Sequence, residues 1–258
     1  MPKRARPEHS SSASASHYDE AEALRYTNAN ATTQDELAQC CLWHVQRGAA
    51  TQAALLMLDL GCGSGLSSLR LERAGHRVIG VDVSSDMLHH SQQRERPDSL
   101  LVHANLAGGL PFAARAVGLF DGAISVSVLQ WLTPASQLKL FSDLRVALRP
   151  LACAVLQFYP TTPSEAQAGV DAAVRAGLDA ELAIDMPHAS RARKLFLCVR
   201  RRAHEQAADS APAAATDQLA ERPPSCPLAY PMPASCRCRL RGARIFPPRL
   251  PELSLIHI

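Results

Sequence analysis

The sequence predicts an α/β fold: a mostly parallel, doubly wound sheet with helices on both faces. Three observations predict it. Short apolar runs alternate with stretches of good helix formers from Leu55 to Arg200, the pattern that strand–helix–strand units write. A glycine loop, Gly61-Cys62-Gly63-Ser64-Gly65, follows directly on the first apolar run. The next apolar run ends in an acid, Asp82, at the distance from the loop (about 20 residues) that nucleoside-binding folds use.

Each element follows from its local pattern. Residues 18–48 carry few breakers and many Ala, Leu, Glu and Gln, and predict a helix. Ala53–Leu60 is short, apolar and followed by glycine, which suits a strand buried on both faces. Residues 66–74 predict a helix and 76–82 a second strand. Ser84 is placed to cap a helix running from Ser85 to about Arg94. Leu100–Ala104 and Phe120–Val126 predict strands, Pro134–Leu148 a helix and Ala152–Tyr159 a fifth strand. A helix over 164–177 then ends at Gly177. Ala180–Ile184 and Lys194–Arg200 are expected to pair as closing, hairpin-like strands.

With 258 residues, 47% of them hydrophobic, the chain has material for one sizeable core. A net charge of +3 allows an anionic partner without demanding one. No run of about 18 uninterrupted apolar residues is present, so no membrane span is expected. Met1–Ser16 lacks the apolar segment of a secretory signal, so the cysteines are expected to stay reduced. The eight cysteines do not form paired CxxC units, and their spacing predicts no zinc or other metal site. Residues 1–17 are polar and small and are expected to form a disordered tail. The folded domain is expected over 18–202. Residues 203–258 lack any sustained period, and Leu253–Ile258 match one translation of a transposon-end adaptor. That region is expected to be disordered or not native.

The chemistry concentrates at the strand ends. Asp59, Gly61, Cys62, Gly63, Ser64 and Gly65 form a G-x-G-x-G turn. It lacks both the G-x-G-x-x-G of dinucleotide folds and the Lys-Ser/Thr of a phosphate-gripping loop. A loop without a basic anchor suits a cofactor without phosphates, S-adenosylmethionine. Asp82, with Val83 beside it, stands where an acid accepts hydrogen bonds from ribose hydroxyls. Asn105 and Leu106 follow the third strand, where Asn105 is either an acceptor for an adenine amino group through its carbonyl or an ordinary loop residue. Ser125 to Leu132 follow the fourth strand, where a methyl acceptor would enter. There Trp131 offers either a stacking surface for a base or core packing, and Gln130 either a base-edge partner or a helix-start residue. Tyr159 ends the fifth strand as a pocket wall or a rim aromatic. His89, His90 and His103 have no evident partner and read as background.

Taken together these residues resemble the eukaryotic 18S rRNA (guanine-N7)-methyltransferases, which are Rossmann-like class I methyltransferases. The resemblance runs through Pro7-Glu8-His9, Tyr18-Asp19-Glu20, Glu22-Ala23, Tyr26, the loop from Leu58 to Ser67, Gly75-His76, Gly80–Ser84 and Met87-Leu88. It continues through Gly109–Phe112, Phe120-Asp121-Gly122 and Ile124-Ser125 to Gln130-Trp131-Leu132. Ala154–Pro160, Ala176-Gly177, Ala192-Arg193-Lys194 and Leu197-Cys198 close the series. The glycine loop is generic; the Gln-Trp-Leu, Leu-Gln-Phe-Tyr-Pro and Ala-Arg-Lys blocks are more specific. The resemblance implies S-adenosylmethionine as donor and a guanine N7 in 18S rRNA as acceptor, on the pre-40S particle. It also implies work in the nucleus beside a small zinc-binding activator subunit.

The sequence departs from the family in places. Asn105 stands where the family has an acid, Asn30-Ala31 replaces a Ser-Arg block, and the glycine usual before the fifth strand is missing from Arg149-Pro150-Leu151-Ala152. The family's basic C-terminal tail is not recognisable. Guanine N7 needs no deprotonation, so positioning by the Ser125–Trp131 loop and Tyr159 is expected to carry the reaction. Two rivals remain open: a small-molecule methyltransferase of the same fold, and a non-catalytic assembly factor that retains it.

Overall fold

A computed structural model describes residues 20–47, 53–93, 100–185 and 194–203. Of the two expected tails, 1–17 falls wholly outside the described residues and 203–258 does so apart from Ala203. So do the motif residues Pro7-Glu8-His9, Tyr18-Asp19 and Ala192-Arg193, and the side chains of Glu22, Ala23 and Tyr26.

Seven strands form one sheet: β1 (Leu56–Leu60), β2 (Arg77–Asp82), β3 (Leu100–His103), β4 (Phe120–Val126), β5 (Leu148–Phe158), β6 (Asp179–Asp185) and β7 (Lys194–Arg200). Their order is β3-β2-β1-β4-β5-β7-β6. The first five run parallel to their neighbours, and β7 enters antiparallel between β5 and β6. The expected doubly wound sheet and its closing hairpin are therefore both present.

Helices α1 (Glu20–Gln46), α2 (Leu66–Arg73) and α3 (Ser85–Gln92) serve one face, and α4 (Pro134–Ala147) and α5 (Pro163–Arg175) the other. Strand alternation explains this division. Met57, Ile124, Val155 and Phe196 pack with Leu37, Cys41 and Val45 of α1. Leu58, Leu60, Ala154 and Leu197 point the other way, against Leu140, Leu144 and Ala173 of α4 and α5. Both faces of the central strands are covered, which is why they read as unbroken apolar runs.

Helix starts follow local chemistry. Ser84 accepts the Met87 amide at the start of α3, as its sequence position predicts. Thr133 and Thr162 cap α4 and α5 in the same way, each followed by a proline whose missing N–H costs nothing there.

One element differs from expectation. β5 begins at Leu148, four residues before the expected Ala152. Phe120 pairs with Leu148 and Gly122 with Cys153, so a bulge absorbs the residues between. Leu151 sits in that bulge at φ 66. Its amide donates to the Arg201 carbonyl at 2.9 Å, which ties the bulge to the end of β7. A left-handed backbone is a conformation that glycine adopts at no steric cost and leucine does not.

Candidate functional site

The chain runs outward from β1 to β2 and β3, then crosses back to β4. The strand ends therefore part between β1 and β4, the switch point where such sheets bind ligands. An open-sided cleft lies there, about 810 Å³ including its solvent-facing side. Four strand ends contribute: Gly61 and Gly63 after β1, Asp82 and Val83 at β2, Asn105 and Leu106 after β3, and Ser127 and Trp131 after β4.

The glycine loop and Asp82 form one unit. Gly63 N–H donates to Asp82 Oδ2 at 2.8 Å, and Ser84 N–H donates to Asp82 Oδ1 at 2.9 Å. A carboxylate has about four acceptor positions, so these amide bonds do not exhaust its capacity to accept a ligand hydroxyl. Burial pushes the Asp82 carboxyl above its ordinary value; the Ser84, Gly63 and Val83 amides and nearby His103 hold it back. Gly61, Gly63 and Gly65 take φ of 75, 51 and 81. At Gly61 the need is also steric, because a Cβ there would lie 2.2 Å from Val128 Cγ2. These features fit a nucleoside cofactor lying across the loop with its ribose at Asp82.

The remaining predicted loop residues lie beneath the cleft rather than along it. Asp59 is fully buried, and its Oδ2 accepts the Ser67 and Ser68 hydroxyls at 2.7 and 2.6 Å. It ties β1 to the first turn of α2. Cys62 is buried against Gly80, whose added Cβ would lie 2.8 Å from its sulfur. Ser64 accepts the Thr27 hydroxyl at 2.7 Å, joining the loop to α1. Gly65 is the left-handed cap of α2. Ser125 donates to the Leu60 carbonyl at 2.7 Å and braces β4 against β1.

Asn105 and Leu106 line the cleft, and Asn105 Oδ1 accepts the Ala107 amide at 2.9 Å. That bond uses one lone pair of the carbonyl and leaves one for a ligand donor.

On the acceptor side, Ser127 takes φ 63, a conformation that non-glycine residues seldom adopt. Its amide donates to the Gln157 carbonyl at 2.9 Å and its hydroxyl to Gln157 Oε1 at 3.1 Å. The turn aims the Ser127 carbonyl at two donors, Gln130 Nε2 at 3.0 Å and Trp131 Nε1 at 3.2 Å. Trp131 consequently lines the cleft with its indole fixed, whereas Gln130 does not line it. Tyr159 lies outside the lining too; Lys194 Nζ sits 4.8 Å from its ring centroid. Strand-end logic reached most of the lining. It missed Ala104, Ala107 and Met87 as cleft residues, although all three follow strand ends that the sequence marks.

Other titratable groups are internal. Burial lowers the His76 pKa below its ordinary value, against the opposing influence of Asp121. Burial pushes the Cys153 thiol up to about 11 and the Cys198 thiol well above its ordinary range. Among the described residues no helix is long and apolar enough to cross a membrane.

Comparison with known proteins bears on this geometry. Residues 57–151 match the family model described as a methyltransferase domain. The chain is 38% identical over 152 residues to the 18S rRNA (guanine-N(7))-methyltransferase of Mus musculus, covering 55% of this chain and 53% of that one. It is 35% identical over 191 residues to the Arabidopsis thaliana protein of that name, covering 70% and 64%. The 18S rRNA (guanine(1575)-N(7))-methyltransferase of Saccharomyces cerevisiae is 35% identical, over 53% of this chain and 52% of that one. The chain thus spans between about half and two thirds of the length of these relatives. Among solved structures, Haemonchus contortus phosphoethanolamine N-methyltransferase 2 superposes with a TM-score of 0.55 at 15% identity, covering 72% of this chain and 59% of that one. A chain from the complex of the Haloferax volcanii Trm112 methyltransferase activator with a methyltransferase gives 0.52 at 16% identity, covering 71% and 97%. These two likenesses concern the fold.

Proposed function

We propose that the chain, 35–38% identical to 18S rRNA (guanine-N7)-methyltransferases, is a member of that family and transfers a methyl group from S-adenosylmethionine to N7 of a guanine in 18S rRNA. One observation carries the reading beyond kinship. Among the described residues lining the cleft, Asp82 is the sole ionisable side chain, and it belongs to the sugar end. The acceptor side offers a fixed indole, small apolar groups and no base or cation. Guanine N7 suits this lining, because its lone pair is already exposed and needs no deprotonation. A hydroxyl or ammonium acceptor requires proton removal, and a carboxylate acceptor favours a cationic partner.

Bound S-adenosylmethionine supplies a methyl group already activated on a sulfonium. The chain's task is alignment. Asp82 takes the ribose hydroxyls, Asn105 and Leu106 border the base, and Gly61 and Gly63 let the backbone approach closely. Trp131, pinned through the Ser127 carbonyl, is the stacking face for the guanine. Asp59, Ser64 and Ser125 hold the loop, α1 and β4 in register. Gln130 acts through Ser127, and Tyr159, beyond the cleft lining at the end of β5, faces Lys194 rather than the acceptor. We place the reaction on the pre-40S particle in the nucleus. A small zinc-binding activator of the Trm112 kind is the proposed partner; the fold likeness to a methyltransferase taken from such a complex supports it.

The test is quantification of 7-methylguanosine in 18S rRNA from cells with and without this protein. Loss of the modified base, restored by the wild-type chain and not by Asp82→Ala, is the expected result. An unchanged level in its absence overturns the reading.

A further inference from the structure

On the sheet face opposite α4 and α5, away from the cleft, three potential ligands of different chemistry meet: Cys40, His44 and Asp185. Cys40 and His44 are four residues apart on α1, so they share one face of the helix. Asp185 is the last residue of β6, the outermost strand. All three are buried, and their ligand atoms lie within 4.8 Å of one another. The Cys40 thiol donates to Asp185 Oδ2 at 2.9 Å, and His44 Nε2 stands 3.8 Å from that same oxygen.

His44 is the second, independent observation. Its side chain is 5% exposed, yet neither ring nitrogen makes a hydrogen bond. Leaving a buried polar group unsatisfied is costly. A metal ion between the three groups would give Nε2 a bond, with side-chain shifts of roughly half an ångström that part Sγ from Oδ2 and even out the three separations.

We propose that Cys40, His44 and Asp185 form a binding site for one divalent metal ion of borderline softness, zinc(II) or its analogue cobalt(II). One sulfur, one imidazole nitrogen and one carboxylate oxygen are the donor types such ions accept. Charge supports the assignment. A dication with one thiolate, one carboxylate and a neutral imidazole is neutral overall, so burying the complex avoids the penalty of an isolated charge. On binding, the Cys40 S–H bond breaks, the metal–sulfur bond forms and the proton leaves to solvent. Water can reach the histidine side of the site through a cavity lined by His44, Arg47, Glu181, Cys153 and Cys198. Of the four charged side chains in that lining, Arg47 and Glu181 pair with each other at 3.4 Å, and Asp179 pairs with Arg202.

The site would staple α1 to the edge of the sheet. Because Thr27 of α1 bonds Ser64 of the glycine loop, the staple would also steady the helix that covers that loop. The search for paired cysteines in the sequence passes over this site, since Asp185 is 145 residues from Cys40 in the chain.

The experiment is titration of the chelator-treated full chain with cobalt(II), read by absorption. One equivalent should bind, with thiolate-to-cobalt charge transfer in the near ultraviolet and the visible bands of four-coordinate cobalt. Cys40→Ser should abolish the charge-transfer band, and Asp185→Asn should weaken binding by more than about tenfold while keeping it. The triple variant Cys226→Ser, Cys236→Ser, Cys238→Ser should bind like the wild type. Absence of saturable one-equivalent binding in the wild type overturns the proposal, as does persistence of the band in Cys40→Ser or its loss in the triple variant. Should Cys40→Ser fail to fold, the wild-type stoichiometry, Asp185→Asn and the triple variant still decide the matter.

Discussion

The Gly63 amide and Asp82 Oδ2, 2.8 Å apart, bind the turn after β1 to the end of β2. The bond makes a ligand cradle out of two segments nineteen residues apart in the chain. Asp82 shapes the loop and also lines the cleft, and the proposed function gives it a second duty, receiving the ribose. Replacing it removes both. Each hydrogen bond to a charged group contributes about 1.5–3 kcal/mol, so Asp82→Ala should lower S-adenosylmethionine affinity by at least ~tenfold. Calorimetric titration measures this, and unchanged affinity would remove Asp82 from the site.

Gly61 tests the loop itself. An alanine there must hold φ 75 and accommodate a Cβ 2.2 Å from Val128 Cγ2. Both faults destabilise: the left-handed backbone costs about 1–2 kcal/mol, and the overlap adds to it. Gly61→Ala should lower the Tm and the cofactor affinity together. Adding Val128→Ala removes the overlap and not the backbone strain, so the double variant should recover only part of the loss. Full recovery would show that backbone conformation at Gly61 is immaterial.

Leu151 offers the opposite substitution. It is 56% exposed at φ 66, so its side chain contributes little burial while its backbone is strained. Glycine relieves a cost of about 1–2 kcal/mol and adds about 0.5–1 kcal/mol of lost chain entropy. Leu151→Gly should therefore match or exceed wild-type stability in denaturant unfolding. Leu151→Val, whose branched Cβ tolerates this conformation poorly, should fall below it. A less stable glycine variant would mean that the exposed leucine packs more than its exposure suggests.

These cases show what the sequence carries. The loop side of the cleft was legible because two strand ends punctuate it, Gly61–Gly65 and Asp82, and period and composition mark strand ends locally. The same logic located Asn105 and Trp131. It did not separate the residues that line the cleft from those beneath it, because Asp59, Cys62, Ser64 and Ser125 differ from the lining in direction alone. Direction depends on which helix covers which face. The early start of β5 was hidden as well: a proline and a left-handed leucine look like a turn, and only pairing with β4 and β7 makes them strand. The Cys40–His44–Asp185 meeting needs the antiparallel closure of β6 and β7, a purely tertiary event.

His76 predicts a pH effect. Its Nδ1 accepts the Leu55 amide at 3.2 Å, a bond available to the neutral ring. Burial lowers its folded pKa below the ordinary value of 6.5. The folded state therefore binds a proton less readily than the unfolded chain. The resulting stability is present above the unfolded pKa and is lost as pH falls below about 6.5. Unfolding free energy should decline on acidification through that window, and His76→Gln should flatten the decline. Parallel pH profiles for the two proteins would exclude His76 as its source.

Trp131 separates acceptor chemistry from cofactor chemistry. Its Nε1–H bond to the Ser127 carbonyl fixes the indole at the cleft wall. If that face receives a guanine, Trp131→Ala removes a stacking contribution of about 1–3 kcal/mol. Methylation of 18S rRNA should then drop by roughly ten- to a hundredfold, while S-adenosylmethionine affinity changes little. Trp131→Phe keeps a ring and loses the bond to Ser127, so its rate should lie between. The ordering wild type, Phe, Ala in rRNA methylation, at constant cofactor affinity, is specific to stacking. A packing role would instead lower thermal stability and cofactor binding in step, so the two measurements must be made on the same preparations.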